Sequence, residues 1–372
     1  MRRKILADRT TQKNQRMCLA APTVVKTVFL IAFALLAAST KANLLQPLHN
    51  SISSLLGASK HIRIGVDLMG NDNDPKVLLQ ALKELTLPAG IEIIAIGTPE
   101  FEQEAAPFRY HTAPEVIGME EHPLLALRRK KNASMTIGLR LLKEGRLDAL
   151  VSAGNTGALV SSAKLILSTL KGILRPCLIA LMPTKKSLVA VLDVGANVQA
   201  KATQLVQYAL IGAAYQQTRG IETPSVGLLN IGSEALKGTS EIRLAYQALQ
   251  TMPHSSFRFK GNIEGTSVFN GEVDVLVTDG FTGNVFLKTA EGVTSLILDR
   301  LHSETKTTEL KKFHSLHYAE YPGALLAGLR GIVIKCHGYS TPRGFMNAVL
   351  GAITLSQEKF IQVLQKRLSK DL

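Results

Sequence analysis

Beyond residue 60 the chain alternates short apolar runs with polar, glycine-bearing loops and then stretches of helical spacing. IRIGVDLMG (62–70) reads as a buried strand ending in Asp67 and Gly70; Asn71 to Pro75 form a turn or cap, and KVLLQALKEL (76–85) follows as a helix. IEIIAIG (91–97) is a second strand, and Tyr110 to Val116 is read as a third. The same plan recurs in DALVSAGNTG (148–157), SLVAVLDVGAN (187–197), SVGLLNIGSEALKG (225–238), EVDVLVTDGFTGN (272–284) and GIVIKCHG (331–338). Each is a β-rich segment whose last residues become Gly, Asn, Asp, Ser or His where a helix should begin. Helices are predicted over 135–144, 206–217 and 285–298, with a closing helix towards the terminus, and Tyr208 and Tyr215 belong in the core. Strand, helix, strand in repetition predicts a doubly wound α/β sheet. In an open parallel sheet the carboxyl-terminal loops share one edge, where ligands bind, so all five loops are expected there. Residues 303–316 are polar and basic and suggest a mobile surface hairpin.

Residues 1–60 break this pattern. They carry nine Lys and Arg against the single acid Asp8, around the uncharged run from Thr27 to Thr40. That run falls short of the ~20 residues a spanning helix needs. It has the length of a signal-peptide core, but the rest of the chain looks like an enzyme of a reducing compartment, so an extension without structural role or a membrane tether is the reading. The domain division is therefore an extension, 1–60, and a catalytic region, 61–372.

Charge changes the picture little. The net charge of +14 is concentrated in the extension, and the sequence has no Trp, so no nucleic-acid partner is expected. The cysteines Cys18, Cys177 and Cys336 are too far apart to suggest a disulfide framework or a zinc site. Cys336 beside His337 does not make a thiol dyad, because neighbours on a strand point to opposite faces.

Candidate chemistry sits in the loops. No G-x-G-x-x-G follows the first strand, and neither a P-loop, an H-E-x-x-H nor a G-x-S-x-G motif occurs. No cofactor and no metal is expected. What remains is a set of donors: Asn155 and Thr156 before an apolar helix, Asn197, Lys237, Asn284, and His337 as a possible acid or base. Asp193 and Asn197 have no evident structural need. Lys237, between glycine turns, is well placed to meet a phosphate or a polarised carbonyl. The run Arg128, Arg129, Lys130, Lys131 is the densest positive charge after residue 60, either a solvated face or a landing site for an anionic partner.

The segments VDLMGNDNDP, RRKKNASM, VSAGNTGAL, LDVGANV, VGLLNIGSEALKG, GNIEG, VDVLVTDGFTGNVFLKTAEG and GIVIKCHG, in this order, resemble the bacterial phosphate acyltransferase family called PlsX, over about residues 61–372. The resemblance implies a three-layer, mostly parallel α/β fold like those of isocitrate and isopropylmalate dehydrogenases and phosphotransacetylases, as a homodimer. It implies transfer of a fatty acyl group from acyl carrier protein to inorganic phosphate, giving acyl phosphate for phospholipid synthesis. The product would pass to a membrane glycerol-phosphate acyltransferase, placing the protein in the cytoplasm, peripherally at the inner membrane surface. The family's two catalytic residues fall on Lys237 and Asn284. Arg128 to Lys131 become a docking patch for the acidic carrier, and Asn155, Thr156, Asn197 and His337 are substrate-binding candidates. Departures occur at Asn71, Thr239, Pro322 and Tyr339. The segment before Tyr321 is short where relatives have a helical hairpin thought to touch the membrane. A phosphotransacetylase acting on a short acyl-CoA and a non-catalytic membrane scaffold are the alternatives.

Overall fold

A computed structural model describes residues 61–252, 256–304, 321, 323–338 and 340–371. The extension 1–60, the 303–316 segment from residue 305 onwards, Pro322 and Tyr339 lie outside the described residues, so the readings made of them have no structural counterpart here.

Residues His61–Leu372 form one unit around an 11-stranded sheet. In chain order the strands are β1 (Ile62–Asp67), β2 (Ile91–Gly97), β3 (Arg109–Thr112), β4 (Ala149–Ser152), β5 (Cys177–Pro183), β6 (Leu188–Leu192), β7 (Ser225–Leu229), β8 (Arg258–Ile263), β9 (Val275–Val277), β10 (Ala324–Ala327) and β11 (Ile332–Lys335). The helices are α1 (Pro75–Glu84), α2 (Pro123–Arg129), α3 (Ser134–Lys143), α4 (Thr156–Leu167), α5 (Ala202–Thr218), α6 (Ser240–Thr251), the single turn α7 (Gly265–Val268), α8 (Gly280–Glu304), α9 (Pro342–Gln357) and α10 (Phe360–Asp371). Strand order is β3-β2-β1-β4-β11-β10-β5-β6-β9-β7-β8. Two apolar layers cover its faces. One is built on Ile64, Val66, Tyr208 and Phe345, the other on Ile96, Leu150, Val191 and Val333.

Most pairings are parallel, as the strand-helix rhythm requires. The exceptions are decisive: β5 runs antiparallel to both β6 and β10, and β10 is antiparallel to β11. Following these pairings across the sheet, β3, β2, β1, β4 and β11 run one way and β6, β9, β7 and β8 the other. The expectation of one shared loop edge is therefore corrected. The loops after β4 and β11 lie at one edge, and those after β6, β7 and β9 lie at the opposite edge. The expectation failed because β5 and β10, the reversing strands, have no strand-loop-helix signature and were not read as separate strands.

Local chemistry explains several boundaries. Asp74 caps α1 by accepting from the Lys76 N–H at 2.9 Å. Thr239 caps α6 by accepting from Ile242 N at 3.3 Å, which gives that departure a structural use. Asn71 accepts from Asn73 N at 2.8 Å, and its amide donates to the Leu68 carbonyl at 2.8 Å, closing the turn with its side chain; the left-handed residue there is Gly70, at φ 69°. Tyr208 and Tyr215 are core residues as expected. Among the described residues no helix is long and apolar enough to cross a membrane.

Candidate active site

A cleft of ≈ 400 Å³ opens between α8 and the sheet face formed by β5, β10 and β11. Its floor is shallow in side chains. Leu325 pairs with Ile179, and Ala324 with Lys335, so Ala324 lies beside Ala180 in adjacent strands, both facing the cleft. Two methyl groups there leave room that leucines would fill. Leu178, Met182, Val194, Phe269, Leu287 and Ala290 make the walls apolar.

Asn284 lines one end of this cleft. The D-G-F-T-G-N run was expected to be a loop before a helix at 285, but α8 already begins at Gly280. Asp279 caps it, accepting from Thr282 N at 2.8 Å. Gly280 N–H donates to the Asn197 carbonyl at 2.8 Å. A Cβ at Gly280 would collide with that same carbonyl oxygen, and one at Gly283 with the Asp193 carbonyl oxygen. Glycine at both positions lets the first turns of α8 press their backbone onto the 193–197 loop. Gly195, at φ 137°, takes a backbone conformation that favours glycine and lies next to Asn284: a Cβ there would stand 3.8 Å from Asn284 Oδ1, an ordinary contact distance.

The 193–197 loop is organised by Asp193, which is fully buried. Its Oδ1 accepts from the backbone N–H of Leu178 (3.0 Å), Gly195 (3.1 Å) and Ala196 (2.9 Å). Its Oδ2 accepts from Asn197 N and Nδ2, both at 2.8 Å. Burial raises the carboxyl above its usual range while these donors pull it down. Asn197 also donates to the Pro176 carbonyl at 2.8 Å. The reading that Asp193 and Asn197 have no structural need is corrected: both fold the loop that seats α8.

The far end of the cleft is charged. His337 Nε2 stands 3.0 Å from Glu291 Oε1, and Lys288 Nζ is 2.9 Å from Glu291 Oε2 and 2.9 Å from each His337 ring nitrogen. An Nε2–H donated to the carboxylate leaves Nδ1 to accept from the ammonium. Asn284, Lys288 and Glu291 stand at helical offsets of four and seven, on one face of α8. That spacing in N-V-F-L-K-T-A-E was available in the sequence once the helix start was known.

Behind this group lies a buried polar row. Register places Asp67, Ser152 and Lys335 side by side on β1, β4 and β11. Asp67 Oδ2 accepts from Ser152 Oγ at 2.7 Å, and Asp67 Oδ1 from Met69 N at 3.2 Å. Lys335 lines the cleft yet is only 7% exposed, with its ammonium donating to the carbonyls of Ala153 and Cys336. Burial lifts Asp67 to about 6 and, with Lys288 nearby, brings Lys335 down to about 8. Cys336 points to the other face, where burial pushes its thiol up to about 12, so it is no nucleophile.

Of the other expected residues, Thr156 lines the cleft at the start of α4. Asn155 caps that helix, accepting from Ala158 N at 3.1 Å, and its amide donates to carbonyls of the 118–121 turn, including Met119 at 2.9 Å. Lys237 is exposed in the loop after β7, where its carbonyl accepts from Asn230 Nδ2 at 3.1 Å, and it is not among the residues lining the cleft. Arg128, Arg129 and Lys131 are exposed, whereas Lys130 donates to Glu121 at 2.6 Å and to the Val116 carbonyl at 2.7 Å. That turn carries Met119 to the cleft wall.

The fold is similar to that of phosphotransacetylases. A phosphotransacetylase from Streptococcus pyogenes superposes with a TM-score of 0.55 at 18% identity, covering 85% of this chain and 99% of that one. The EutD phosphotransacetylase of Staphylococcus aureus gives 0.53 at 18% identity, covering 85% and 100%. Sequence narrows the class. Residues 62–363 match the model of the fatty acid synthesis protein family. The phosphate acyltransferase of Chlamydia abortus is 40% identical over 326 residues, covering 83% of this chain and 100% of that protein. That of Desulforamulus reducens is 38% identical over 330 residues, covering 83% and 98%. The chain belongs to this family, the PlsX phosphate acyltransferases.

Proposed function

We propose that this protein moves a fatty acyl group from acyl carrier protein to inorganic phosphate, forming acyl phosphate for phospholipid synthesis. The observation that carries the reading is the cleft itself: apolar walls of ≈ 400 Å³ end at Asn284, a neutral donor held against a glycine. Such a cleft suits a hydrocarbon chain with its thioester carbonyl at the amide. A phosphate oxygen bonds to the carbonyl carbon, the C–S bond breaks, and the thiolate leaves on the carrier's arm. Asn284 donates to the oxygen as charge develops on it, and Lys237 holds the phosphate. No covalent enzyme intermediate is needed.

Lys237 reaches a cleft most simply in a homodimer. Its loop shows Ile231 and Leu236 at 82% and 84% exposure, an apolar pair suited to cover by a second copy of this chain. Arg128, Arg129 and Lys131 beside the Met119 turn suit docking of the acidic carrier. The reaction takes place in the cytoplasm at the inner membrane surface, where a glycerol-phosphate acyltransferase consumes the product.

The test is acyl phosphate formation from long-chain acyl carrier protein. Lys237→Ala and Asn284→Ala should each lose on the order of 100- to 1000-fold in turnover. Near-normal turnover in folded variants overturns the assignment, and a preference for acetyl-CoA would favour a phosphotransacetylase instead. Added salt should slow the reaction with the carrier but not with an acyl-CoA surrogate.

A further inference from the structure

The charged end of the cleft has no role in that reading. Seen from inside, it presents Lys335, Lys288 and His337 against the single carboxylate of Glu291, since Asp67 lies behind the wall. Lys335 is the unusual member. A buried ammonium is costly, and here it is balanced through the row that ends in Asp67, with Asp72 of the loop after β1 as a second nearby carboxylate. Two of its three N–H groups meet carbonyls of the described residues, leaving one for a ligand. The amino end of the 12-residue α4 adds to this. Asn155 takes the N–H of Ala158, and those of Thr156 and Gly157 have no intrahelical acceptor. Thr156 is itself on the cleft wall.

We propose that this end of the cleft is a binding site for a phosphate group, with Lys335 as its buried cation, Lys288 as its rim cation and the start of α4 as its third donor. Glu291 and His337 hold Lys288 in place through the contacts already described. A phosphate dianion or phosphodiester answers a wall with two cations and backbone N–H groups better than an uncharged chain does. The inference rests on the acyl transfer reading for its choice of ligand. Because Lys237 is assigned to the reacting phosphate and Asn284 lies about two helical turns away, the group bound here is inorganic phosphate held apart from the reacting carbonyl or the phosphodiester of the carrier's arm. The chemistry of recognition is the same.

Binding without turnover separates these and keeps the test independent of the reaction. Full-chain protein, Lys335→Met and Lys288→Met are dialysed against radiolabelled inorganic phosphate, S-methyl 4′-phosphopantetheine and S-methyl pantetheine. Wild-type protein should bind at least one phosphate-bearing probe. Its affinity should fall on the order of 10- to 100-fold in Lys335→Met and about threefold or more in Lys288→Met, with pantetheine unaffected. Loss for inorganic phosphate marks a holding site for the nucleophile apart from Lys237; loss for phosphopantetheine alone marks an anchor for the arm. Wild-type protein that binds neither probe, or folded variants that bind both as well as wild type, overturns the proposal. Lys288, on an exposed stretch of α8, decides the matter if Lys335→Met does not fold. A wild-type protein that binds phosphate but forms no acyl phosphate would instead sink the acyl transfer reading.

Discussion

The two ends of the cleft are built by opposite means. At the Asn284 end, position comes from backbone: two glycines let α8 touch the 193–197 loop, and one carboxylate collects five donors to shape that loop. At the His337 end, position comes from ionisable side chains holding one another. The first arrangement sets the backbone that carries a neutral amide without adding charge beside it. The second keeps charge available while tolerating small shifts of the groups that carry it.

The sharpest way to break this contrast is Asp193→Ala. It strands the N–H groups of Leu178, Gly195, Ala196 and Asn197, those of Leu178 and Asn197 being buried, and should cost about 3 kcal/mol in urea unfolding. A variant as stable as wild type would mean the loop does not depend on that carboxylate. Gly283→Ala comes next. Its methyl must push α8 off the Asp193 carbonyl, at about 1–3 kcal/mol of strain, and turnover should drop because Asn284 moves. Unchanged turnover would show that the backbone contact is not what sets the amide.

Ala180→Leu or Ala324→Leu probes the floor between the two ends. Either should shift preference towards shorter acyl chains by about tenfold in kcat/KM, with binding of inorganic phosphate unchanged. Equal loss for every chain length would remove the hydrocarbon from this cleft. The smallest effect concerns pH. Asp67 is lifted to about 6 in the folded chain, so the stability it contributes is full below its unfolded value of about 4 and is lost as pH rises through 6. Asp67→Asn should flatten that part of the stability curve measured by thermal melts, and an unaltered slope would assign it to other groups.

Much of the architecture was legible because parallel strands buried on both faces read as apolar runs ending in loop residues. β1, β2, β4, β6, β7, β9 and β11 announced themselves in that way. β5, β8 and β10 did not, and with β5 and β10 went the reversal that separates the loops into two edges. Asn284 and His337 were singled out and do line the cleft. Asn155 and Asn197 were singled out for the same polarity, but their side chains hold turns, a distinction that rests on partners far away in sequence. Lys335 was missed because a lysine inside I-V-I-K-C reads as part of a strand. Only register shows that it stands beside Ser152 and Asp67.

Because Asn284 and Glu291 ride on the same helix, α8 acts as a ruler between the two ends of the cleft. Their seven-residue interval spans about 10 Å and close to two full turns. Inserting or deleting one residue between them would swing one group about 100° away from the cavity while leaving the helix intact. The interval can therefore change only in whole turns, and kin that keep both groups facing the same cavity should preserve its length even where every residue between them differs.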